Sequence, residues 1–252
     1  MSANDSRRFG GISRLYGEPA LDRLAAAHVC VVGIGGVGSW AAEALARSGI
    51  GRLTLIDLDH VAESNLNRQI HALESTLGQA KVLAMRERIV GINPACAVTP
   101  VEEFVTAENV GQLLPRCDML IDAIDQLRAK AALLSYCRDS ALAVVSTGGA
   151  GGKADPTLIR IDDLSRTSRD PLAAKLRATL RRDFGFPRDP KTLFGIDCVY
   201  SLEPIQRPDS EVCATNGGPL GLSCAGYGSS VCVTAGFGFA AASRALARLA
   251  GS

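Results

Sequence analysis

The stretch from Val29 to Asp59 constrains the fold of this chain more than any other part of it. An apolar run leads into a glycine-rich turn, a helix-forming segment and a second apolar run that ends in an acidic residue. A strand, a tight turn, a helix and a strand in this order can bind the phosphates of a nucleotide at the helix N-terminus. Glycine is needed at the turn because a side chain would keep the backbone away from a phosphate. The predicted nucleotide-binding glycines are Gly33, Gly35, Gly36 and Gly38.

Apolar runs rich in Val, Ile and Leu alternate with helical segments up to residue 147. This alternation predicts an α/β fold, Rossmann-like and doubly wound, with a mostly parallel sheet that carries helices on both faces. The predicted strands span 28–33, 52–57, 97–101, 117–122, 142–147 and 157–161. The predicted helices fall near 36–48, 78–91, 106–114, 126–140 and 171–183.

We expect residues 1–252 to form a single nucleotide-binding domain. Its predicted parts are a nucleotide-binding core (1–150), a substrate or crossover region (151–224) and a closing helix of small residues (225–252). Within the second part, residues 184–222 are rich in Pro, Gly and Asp. They predict an irregular crossover or a mobile substrate loop.

The composition is that of an ordinary globular protein, with a net charge of only +1. No overall field therefore attracts nucleic acid, and a polyanion would need a local basic patch. One cluster of basic residues offers such a patch, with a solvated helix face as the alternative interpretation. Its members are Arg166, Arg169, Lys175, Arg177, Arg181, Arg182, Arg188 and Lys191.

Eight cysteines are present, and none of them forms a Cys-x-x-Cys pair that would indicate a zinc site. With no signal peptide, we expect a cytoplasmic protein with reduced thiols. The apolar segment Val231 to Ala242 is too short for a membrane span, so we favour a buried helix over one that touches a membrane.

Charged residues downstream of the glycine turn distinguish between nucleotide chemistries. Asp57, which ends the second strand with Asp59 close behind, can accept hydrogen bonds from a ribose diol. Arg68 and Lys81 follow, and a hydride-transfer enzyme has no need for these cations, whereas an enzyme that expels pyrophosphate does. At the end of the fourth strand, Asp122 or Asp125 offers oxygen ligands for Mg²⁺, although Asp125 could instead cap the helix that begins at Gln126.

These motifs together resemble those of the ubiquitin-activating-type adenylating enzymes, which include the bacterial activators of the thiamine and molybdopterin sulfur-carrier proteins. The matching elements are Gly-x-Gly-Gly-x-Gly, Asp-x-Asp, Ser-Asn-Leu-Asn-Arg-Gln (64–69), Gly-x-x-Lys and Asp-x-x-Asp. The resemblance implies that Asp57 holds the ATP ribose, and that a basic residue from the partner subunit's N-terminal segment, here Arg14 or Arg8, acts as an arginine finger. It further implies phosphate contacts from Asn65, Arg68 and Lys81, with Mg²⁺ on Asp125, and Gln69 of the same motif is a further candidate for cofactor binding.

Later segments resemble the tRNA threonylcarbamoyladenosine dehydratase branch of this superfamily. They include Ser146 to Lys153, Asp170 to Arg177 and Asp197 to Ser201, so that the resemblance covers nearly the whole chain. It implies ATP-dependent adenylation and cyclisation of threonylcarbamoyladenosine in tRNA, in a homodimer that can also hold a monovalent cation (Na⁺ or K⁺). A cysteine desulfurase or sulfur-acceptor system is a further possible partner.

Three other functions stay open from the sequence. The first is the activation of a sulfur-carrier or ubiquitin-like protein, against which the missing zinc cysteines count. The second is an NAD-dependent oxidoreductase, and the third a non-catalytic nucleotide sensor with the same fold. A thiol intermediate is also conceivable, with Cys198, Cys213 and Cys224 as candidates in the crossover region.

Overall fold

The computed structural model describes residues 3–206 and 227–251 of the chain, with side chains from residue 7 onward. Within these residues, one seven-stranded sheet has the spatial order β3-β2-β1-β4-β5-β7-β6. Its strands are β1 (His28–Val32), β2 (Arg52–Ile56), β3 (Ala97–Val101), β4 (Met119–Asp122), β5 (Val144–Thr147), β6 (Ile159–Asp163) and β7 (Asp197–Ser201). Neighbouring strands are parallel except for β6, which is antiparallel to β7.

Helices cover both faces of this sheet. They are α1 (Ala3–Tyr16), α2 (Glu18–Ala26), α3 (Gly38–Arg47), α4 (Lys81–Ile92), α5 (Val110–Leu113), α6 (Leu127–Asp139), α7 (Pro171–Asp183) and α8 (Val231–Ala250). Alternate residues of β1 belong to separate cores: Val29 and Val31 pack with α3 and α8, whereas Cys30 and Val32 pack with α6 and α7. Burial on both faces explains the continuous apolar runs and confirms the predicted doubly wound α/β class.

Two parts of the fold were not predicted. The polar start of the chain forms α1 and α2, and Phe9, Leu21 and Leu24 are buried. The segment predicted as irregular between 184 and 222 contains the interior strand β7, while its later part lies outside the described residues. The hydropathy pattern did not reveal this strand, because the strand contains the charged Asp197. Two arginines of α8 compensate that charge, Arg244 at 2.9 Å and Arg248 at 2.6 Å.

The closing helix α8 packs closely on α3, as its small residues predict. A Cβ atom added to Gly238 would lie 2.5 Å from the carbonyl oxygen of Val37, so only glycine allows this approach. The contact presses α8 against the glycine turn. Among the described residues, no helix combines the length and the apolar character that crossing a bilayer requires.

Candidate active site

One cavity of about 290 Å³ opens at the carboxyl-terminal edge of the sheet. This is the edge at which open parallel sheets bind ligands, near the point where the strand order reverses between β1 and β4. The cavity runs from the residues that follow β3 to those that follow β5. Its lining includes Gly33, Gly35, Gly36, Asp57, Asp59, Phe104, Arg68, Gln69, Lys81, Asp125, the segment 147–151, Asp170, Ile205 and Tyr227.

The first glycine loop (Gly33–Gly38) has a backbone path that requires glycine at its two ends. Gly33 has a φ of +87°, and a Cβ atom on it would lie 2.9 Å from the carbonyl oxygen of Ala123. A Cβ atom on Gly38 would lie only 1.8 Å from the Gly33 carbonyl oxygen. Helix α3 starts here without a capping hydrogen bond from a side chain. Its first-turn N–H groups are therefore suited to an anion at this end of the cavity.

Asp57 is held in a fixed orientation at the end of β2. One carboxylate oxygen accepts a hydrogen bond from Ile34 N at 2.6 Å, and the other accepts one from Asp59 N at 2.9 Å. Burial raises the pKa of Asp57, while the nearby charge of Lys81 and these two hydrogen bonds oppose the rise. Each carboxylate oxygen keeps a further lone pair, so the group can still accept hydrogen bonds from a hydroxyl-bearing ligand.

The two predicted phosphate-binding cations both line the cavity. The ammonium of Lys81, at the start of α4, lies 2.7 Å from the carboxylate of Asp59. The guanidinium of Arg68 donates to the carbonyl of Ser64 at 2.6 Å, and its methylenes pack against Gly36. The structure thus brings both cations to the cavity that the first glycine loop also lines.

Asn65 and Gln69 occupy different positions, although both were predicted from one motif to bind the cofactor. Asn65 does not line the cavity, and its side-chain oxygen accepts a hydrogen bond from Ala62 N at 3.2 Å, which stabilises the turn before Arg68. Gln69 lines the cavity, and its buried Oε1 has no hydrogen-bond partner among the described residues. Gln69 is therefore the one of the two that can bind a ligand directly.

Asp122 and Asp125 also differ sharply. Asp122 is fully buried, with its carboxylate 2.8 Å from Lys130 Nζ and 2.7 Å from Ser146 Oγ, so it stabilises the sheet rather than facing the cavity. Asp125 is exposed at the cavity wall, and it does not cap α6. The prediction for Asp122 therefore needs correction, because a carboxylate engaged by a buried lysine cannot serve a ligand.

The two N-terminal arginines lie outside the cavity of their own chain. Arg8 donates a hydrogen bond to the carbonyl of Ile92, at the end of α4. Arg14 is exposed on α1 and makes no hydrogen bond or ion pair with any described residue. Of the two, Arg14 is the one whose guanidinium has no partner among the described residues.

A second glycine loop (Gly148–Gly152) forms the opposite wall, and the sequence indicated only a flexible turn there. The carboxylate of Asp170 accepts hydrogen bonds from Gly149 N and from Ala173 N, both at 2.9 Å, and thereby joins this loop to the start of α7. The ammonium of the fully buried Lys153 lies 3.6 Å from the same carboxylate. The pattern Asp-Pro at 170–171 is a helix-start signal that identifies this cap.

The thiol candidates gain no support from the described residues. Cys198 is 1% exposed in β7, and burial raises the pKa of its thiol well above the ordinary range, which disfavours the reactive thiolate. Cys213 and Cys224 lie outside the described residues. No group of three or more His, Cys, Asp or Glu side chains that could bind a metal is found in 3–206 or 227–251.

Comparison with known proteins places this site in a family. The model of the ThiF family matches residues 9–246. The tRNA threonylcarbamoyladenosine dehydratase of Escherichia coli K12 is 55% identical over 250 residues, which cover 96% of this chain and 93% of the relative. The Haemophilus influenzae enzyme of the same name is 49% identical, with 98% and 94% coverage. The Escherichia coli molybdopterin-synthase adenylyltransferase is 35% identical over half of each chain.

Solved structures agree with the sequence relatives. The crystal structure of the Escherichia coli tRNA N6-threonylcarbamoyladenosine dehydratase in complex with ATP has a TM-score of 0.90 and 52% identity, and covers 98% of this chain and 96% of that one. A complex of the same enzyme with AMP has a TM-score of 0.89. This chain therefore belongs to the ThiF family and, within it, to the tRNA threonylcarbamoyladenosine dehydratases.

Proposed function

We propose that this chain adenylates the carboxylate of threonylcarbamoyladenosine in tRNA with ATP and cyclises it, releasing pyrophosphate and AMP. The observation that carries the proposal is the convergence of Asp57, Arg68, Lys81 and Asp125 on one cavity beside an uncapped helix start. A dinucleotide oxidoreductase needs the ribose ligand and the glycine loop but not the two cations. Relatives with ATP and AMP complexes support the same reading.

The chemistry requires activation of a poor electrophile. Attack of the substrate carboxylate on the ATP α-phosphate forms an acyl-adenylate and expels pyrophosphate. The carbamoyl group of the same substrate then attacks the activated carbon, AMP leaves, and the ring closes with net loss of water. The second step is intramolecular, so correct positioning supplies much of the acceleration and no enzyme nucleophile is needed.

In this mechanism, each cavity residue has a separate task. Asp57 holds the ribose, and the first glycine loop holds phosphates through its backbone N–H groups. Arg68 and Lys81 stabilise the negative charge that develops on the departing pyrophosphate. Gln69 adds a polar contact through its side-chain amide nitrogen, which lies beside Gly35. Asp59 keeps the ammonium of Lys81 in place through their 2.7 Å ion pair.

We propose that Asp125 binds Mg²⁺ together with the ATP phosphates. Mg²⁺ is commonly held by one or two carboxylates, with phosphates and water completing its shell, so a single protein carboxylate is a suitable donor set. Asp125 fits because it is exposed at the cavity and makes no ion pair with a described residue. When bound, the ion would neutralise charge on the triphosphate. A monovalent cation, Na⁺ or K⁺, is a further proposal that rests on the family resemblance.

We also propose that the enzyme is a homodimer in which Arg14 of one subunit acts as the arginine finger for the other. Arg14 supports this because its guanidinium is exposed and lies away from its own cavity, whereas Arg8 contacts Ile92. Mixing inactive Arg14→Ala and Lys81→Ala proteins tests it. Mixed dimers contain one intact site, so we expect partial recovery of activity; failure to recover after subunit exchange would contradict a finger acting between subunits.

The tRNA is expected to contact the basic residues around α7. Arg177 and Arg181 are engaged within the chain, with Thr167 and with the Pro187 carbonyl, and Arg182 pairs with Asp183 at 2.7 Å. The remaining five are exposed, and we call them the α7 basic surface: Arg166, Arg169, Lys175, Arg188 and Lys191. This surface lies next to the cavity, because Asp170 and Pro171, which directly follow Arg169 in the chain, line the cavity.

A triple replacement tests this surface. Converting Arg166, Arg169 and Lys175 to Gln should weaken tRNA binding. The slope of the logarithm of the affinity against the logarithm of the salt concentration should fall by an amount that corresponds to up to about three lost phosphate contacts. The matched control converts Arg52, Arg86 and Arg116, which are exposed elsewhere, and removes the same charge. Equal binding by the two variants would rule out the α7 basic surface.

The activity assay measures pyrophosphate and AMP release in the presence of Mg²⁺ and ATP with modified tRNA, with a sulfur-carrier protein, or with neither. We expect release with modified tRNA only, together with the cyclised base. Release with the carrier protein instead would favour the second candidate function, the activation of a carrier. The Lys81→Ala variant should be inactive, whereas Arg86→Ala, an exposed change on the same helix, should not.

Three coarser proposals accompany this function. We propose that residues 1–252 act as one adenylating unit, with the division into core, crossover region and closing helix given above. We place the protein in the cytoplasm, where its tRNA substrate is found. A cysteine desulfurase or sulfur-acceptor system stays a possible partner, which co-purification with the tagged protein would test.

A further inference from the structure

One end of the cavity has no role in the site as described so far. It lies beside the second glycine loop and is lined by Leu172, Ile205 and Tyr227. Leu172 is buried, whereas Ile205 and Tyr227 are partly exposed. We propose that this end is the subsite for the modified adenosine of the tRNA, with Tyr227 as the surface on which its base stacks. The inference rests on the proposed function.

The second glycine loop holds Ile205 and Tyr227 in fixed positions through Gly152. The Gly152 N–H donates to the carbonyl of Gly228 at 3.0 Å, and the Gly152 carbonyl accepts from Gln206 N at 2.7 Å. Gly152 has a φ of +70°, and a Cβ atom on it would lie 2.8 Å from Ile205 Cγ2 and 3.2 Å from Tyr227 Cβ. The two side chains are therefore positioned before a ligand arrives, which lowers the entropic cost of binding it.

The order of the strands places this end of the cavity opposite the ATP ligands. Asp57 follows β2, the first glycine loop follows β1, Asp125 follows β4 and the second glycine loop follows β5, and these four strands are neighbours in that order. ATP on Asp57 and the first loop would leave the side beyond Asp125 free. The substrate carboxylate must reach the α-phosphate, so the rest of the substrate extends from there toward Tyr227.

The chemistry of this end favours an uncharged, flat group over a phosphate. The carboxylate of Asp170 already accepts hydrogen bonds from Gly149 N and Ala173 N, so a second anion would find these donors occupied and a negative charge beside them. Leu172 and Tyr227 offer apolar and aromatic surface instead. The adenine of the modified nucleoside is uncharged, and its carboxylate lies on the substituent that would point toward ATP.

The α7 basic surface continues directly into this end of the cavity. Arg169 belongs to that surface, and the next residues in the chain, Asp170, Pro171 and Leu172, line the cavity. Proteins that bind single-stranded RNA combine cations for the backbone with aromatic side chains on which unstacked bases lie. The same combination here lets tRNA phosphates contact the surface while one base enters the cavity and stacks on Tyr227.

The experiment compares wild-type protein with Tyr227→Ala and Tyr227→Phe. We expect Tyr227→Ala to lower kcat/KM for modified tRNA by about tenfold or more, since this is the usual effect of removing a stacking ring. Tyr227→Phe keeps the ring and should retain activity. Calorimetry with ATP alone should give the same affinity in all three proteins, which also reports that the cavity is folded. The matched control is Phe239→Ala, because Phe239 is 47% exposed on α8 and does not line the cavity.

The salt dependence of tRNA binding separates stacking from an indirect effect. Stacking releases no counterions, so the slope of log affinity against log salt concentration should be the same in Tyr227→Ala and in wild type. A smaller slope in Tyr227→Ala would overturn the inference, because it would assign Tyr227 to the placement of phosphate contacts. An equal loss of ATP affinity would also overturn it, since the variant would then disturb the whole cavity.

Failure of the subsite and failure of the proposed function give different results. If wild type releases pyrophosphate with modified tRNA and Tyr227→Ala does so with the same kcat/KM, the subsite is wrong while the function stands. If wild type binds ATP but releases no pyrophosphate with modified tRNA, the function is wrong, and the subsite that rests on it is wrong too.

Discussion

The two glycine loops differ in the helix starts that they meet. Each loop follows a parallel strand at the same sheet edge, and each lies beside the first turn of a helix. The first loop leads into α3, whose start has no side-chain cap. The second loop meets α7, whose start is capped by Asp170 and backed by the buried Lys153. A free helix start attracts a phosphate, whereas a carboxylate at the same position occupies the N–H groups and repels it. We therefore expect a phosphate at the first loop, where the helix start is open, and not at the second.

The largest effect is expected from a substitution that disrupts the first loop. In Gly38→Ala, the new Cβ would lie 1.8 Å from the Gly33 carbonyl, so the loop must move away from the phosphates. We expect ATP-dependent turnover to fall by about 100-fold or more, the scale on which enzymes lose rate when an anion-stabilising donor is removed. Pyrophosphate release measures it. The control is Gly91→Ala, whose Cβ would meet nothing within 4 Å, and normal ATP affinity in Gly38→Ala would refute the proposed role.

The strand end between the two loops offers the next test. Asp125→Asn should lower turnover by about 100-fold, because charge on the triphosphate is less well neutralised, without changing stability. Asp122→Asn should instead lower the free energy of unfolding by about 3 kcal/mol, since it leaves Lys130 without its buried partner at 2.8 Å. Urea denaturation and turnover, measured on both variants, separate the two roles. A loss of activity at full stability in Asp122→Asn would contradict its structural assignment.

Substitutions that disturb the second loop should lower the stability of the protein more than its affinity for ATP. Asp170→Asn removes the charge that faces Lys153 at 3.6 Å and weakens the cap of α7, so we expect a loss of about 3 kcal/mol in the free energy of unfolding. Adding Lys153→Met should recover part of it. Asn caps a helix start about as well as Asp, so Asp155→Asn, at a cap without a buried lysine, should leave the free energy of unfolding nearly unchanged. If Asp170→Asn mainly abolished ATP binding, the second loop would be a phosphate site too.

The smallest expected effect is the pH dependence of ATP binding at Asp57, beside the first loop. Burial raises the pKa of Asp57, so this carboxyl takes up a proton at a higher pH than an ordinary aspartate. Above the raised pKa the carboxylate accepts ribose hydroxyls, and as the pH falls through that pKa this acceptor is lost. ATP affinity should therefore decrease on acidification, by less than about tenfold. Calorimetry over a pH series measures it; an identical pH dependence in Asp57→Asn would assign the effect to another group.

Most of the nucleotide half was predictable because its signals are local. The glycine turn, the acid that ends β2 and the apolar runs each follow from short-range geometry, and the predicted strands and helices there end within a few residues of the observed ones. The structure of the residues after Thr147 was harder to predict. Strand β7 carries Asp197, whose partners Arg244 and Arg248 come from α8, so no local pattern reveals that its charge is compensated.

The candidate site shows the same division. Sequence spacing brought Arg68, Lys81 and Asp125 into one hypothesis, and the structure brings these side chains to one cavity, where their roles stay predictions. Spacing could not separate Asp122 from Asp125, because the difference depends on Lys130 and Ser146, which approach from other elements.

The sequence by itself determined the fold class, the family and the glycine turn at which we predict phosphate binding, because glycine conformation, strand hydropathy and motif spacing are properties of neighbouring residues. The tertiary structure alone decided which charges face the cavity and which are neutralised beneath it. Asp122 with Lys130 and Asp170 with Lys153 are buried pairs, and each pair joins two different elements of the fold. A carboxylate is available to a ligand only when no such partner reaches it, and that depends on how the elements pack.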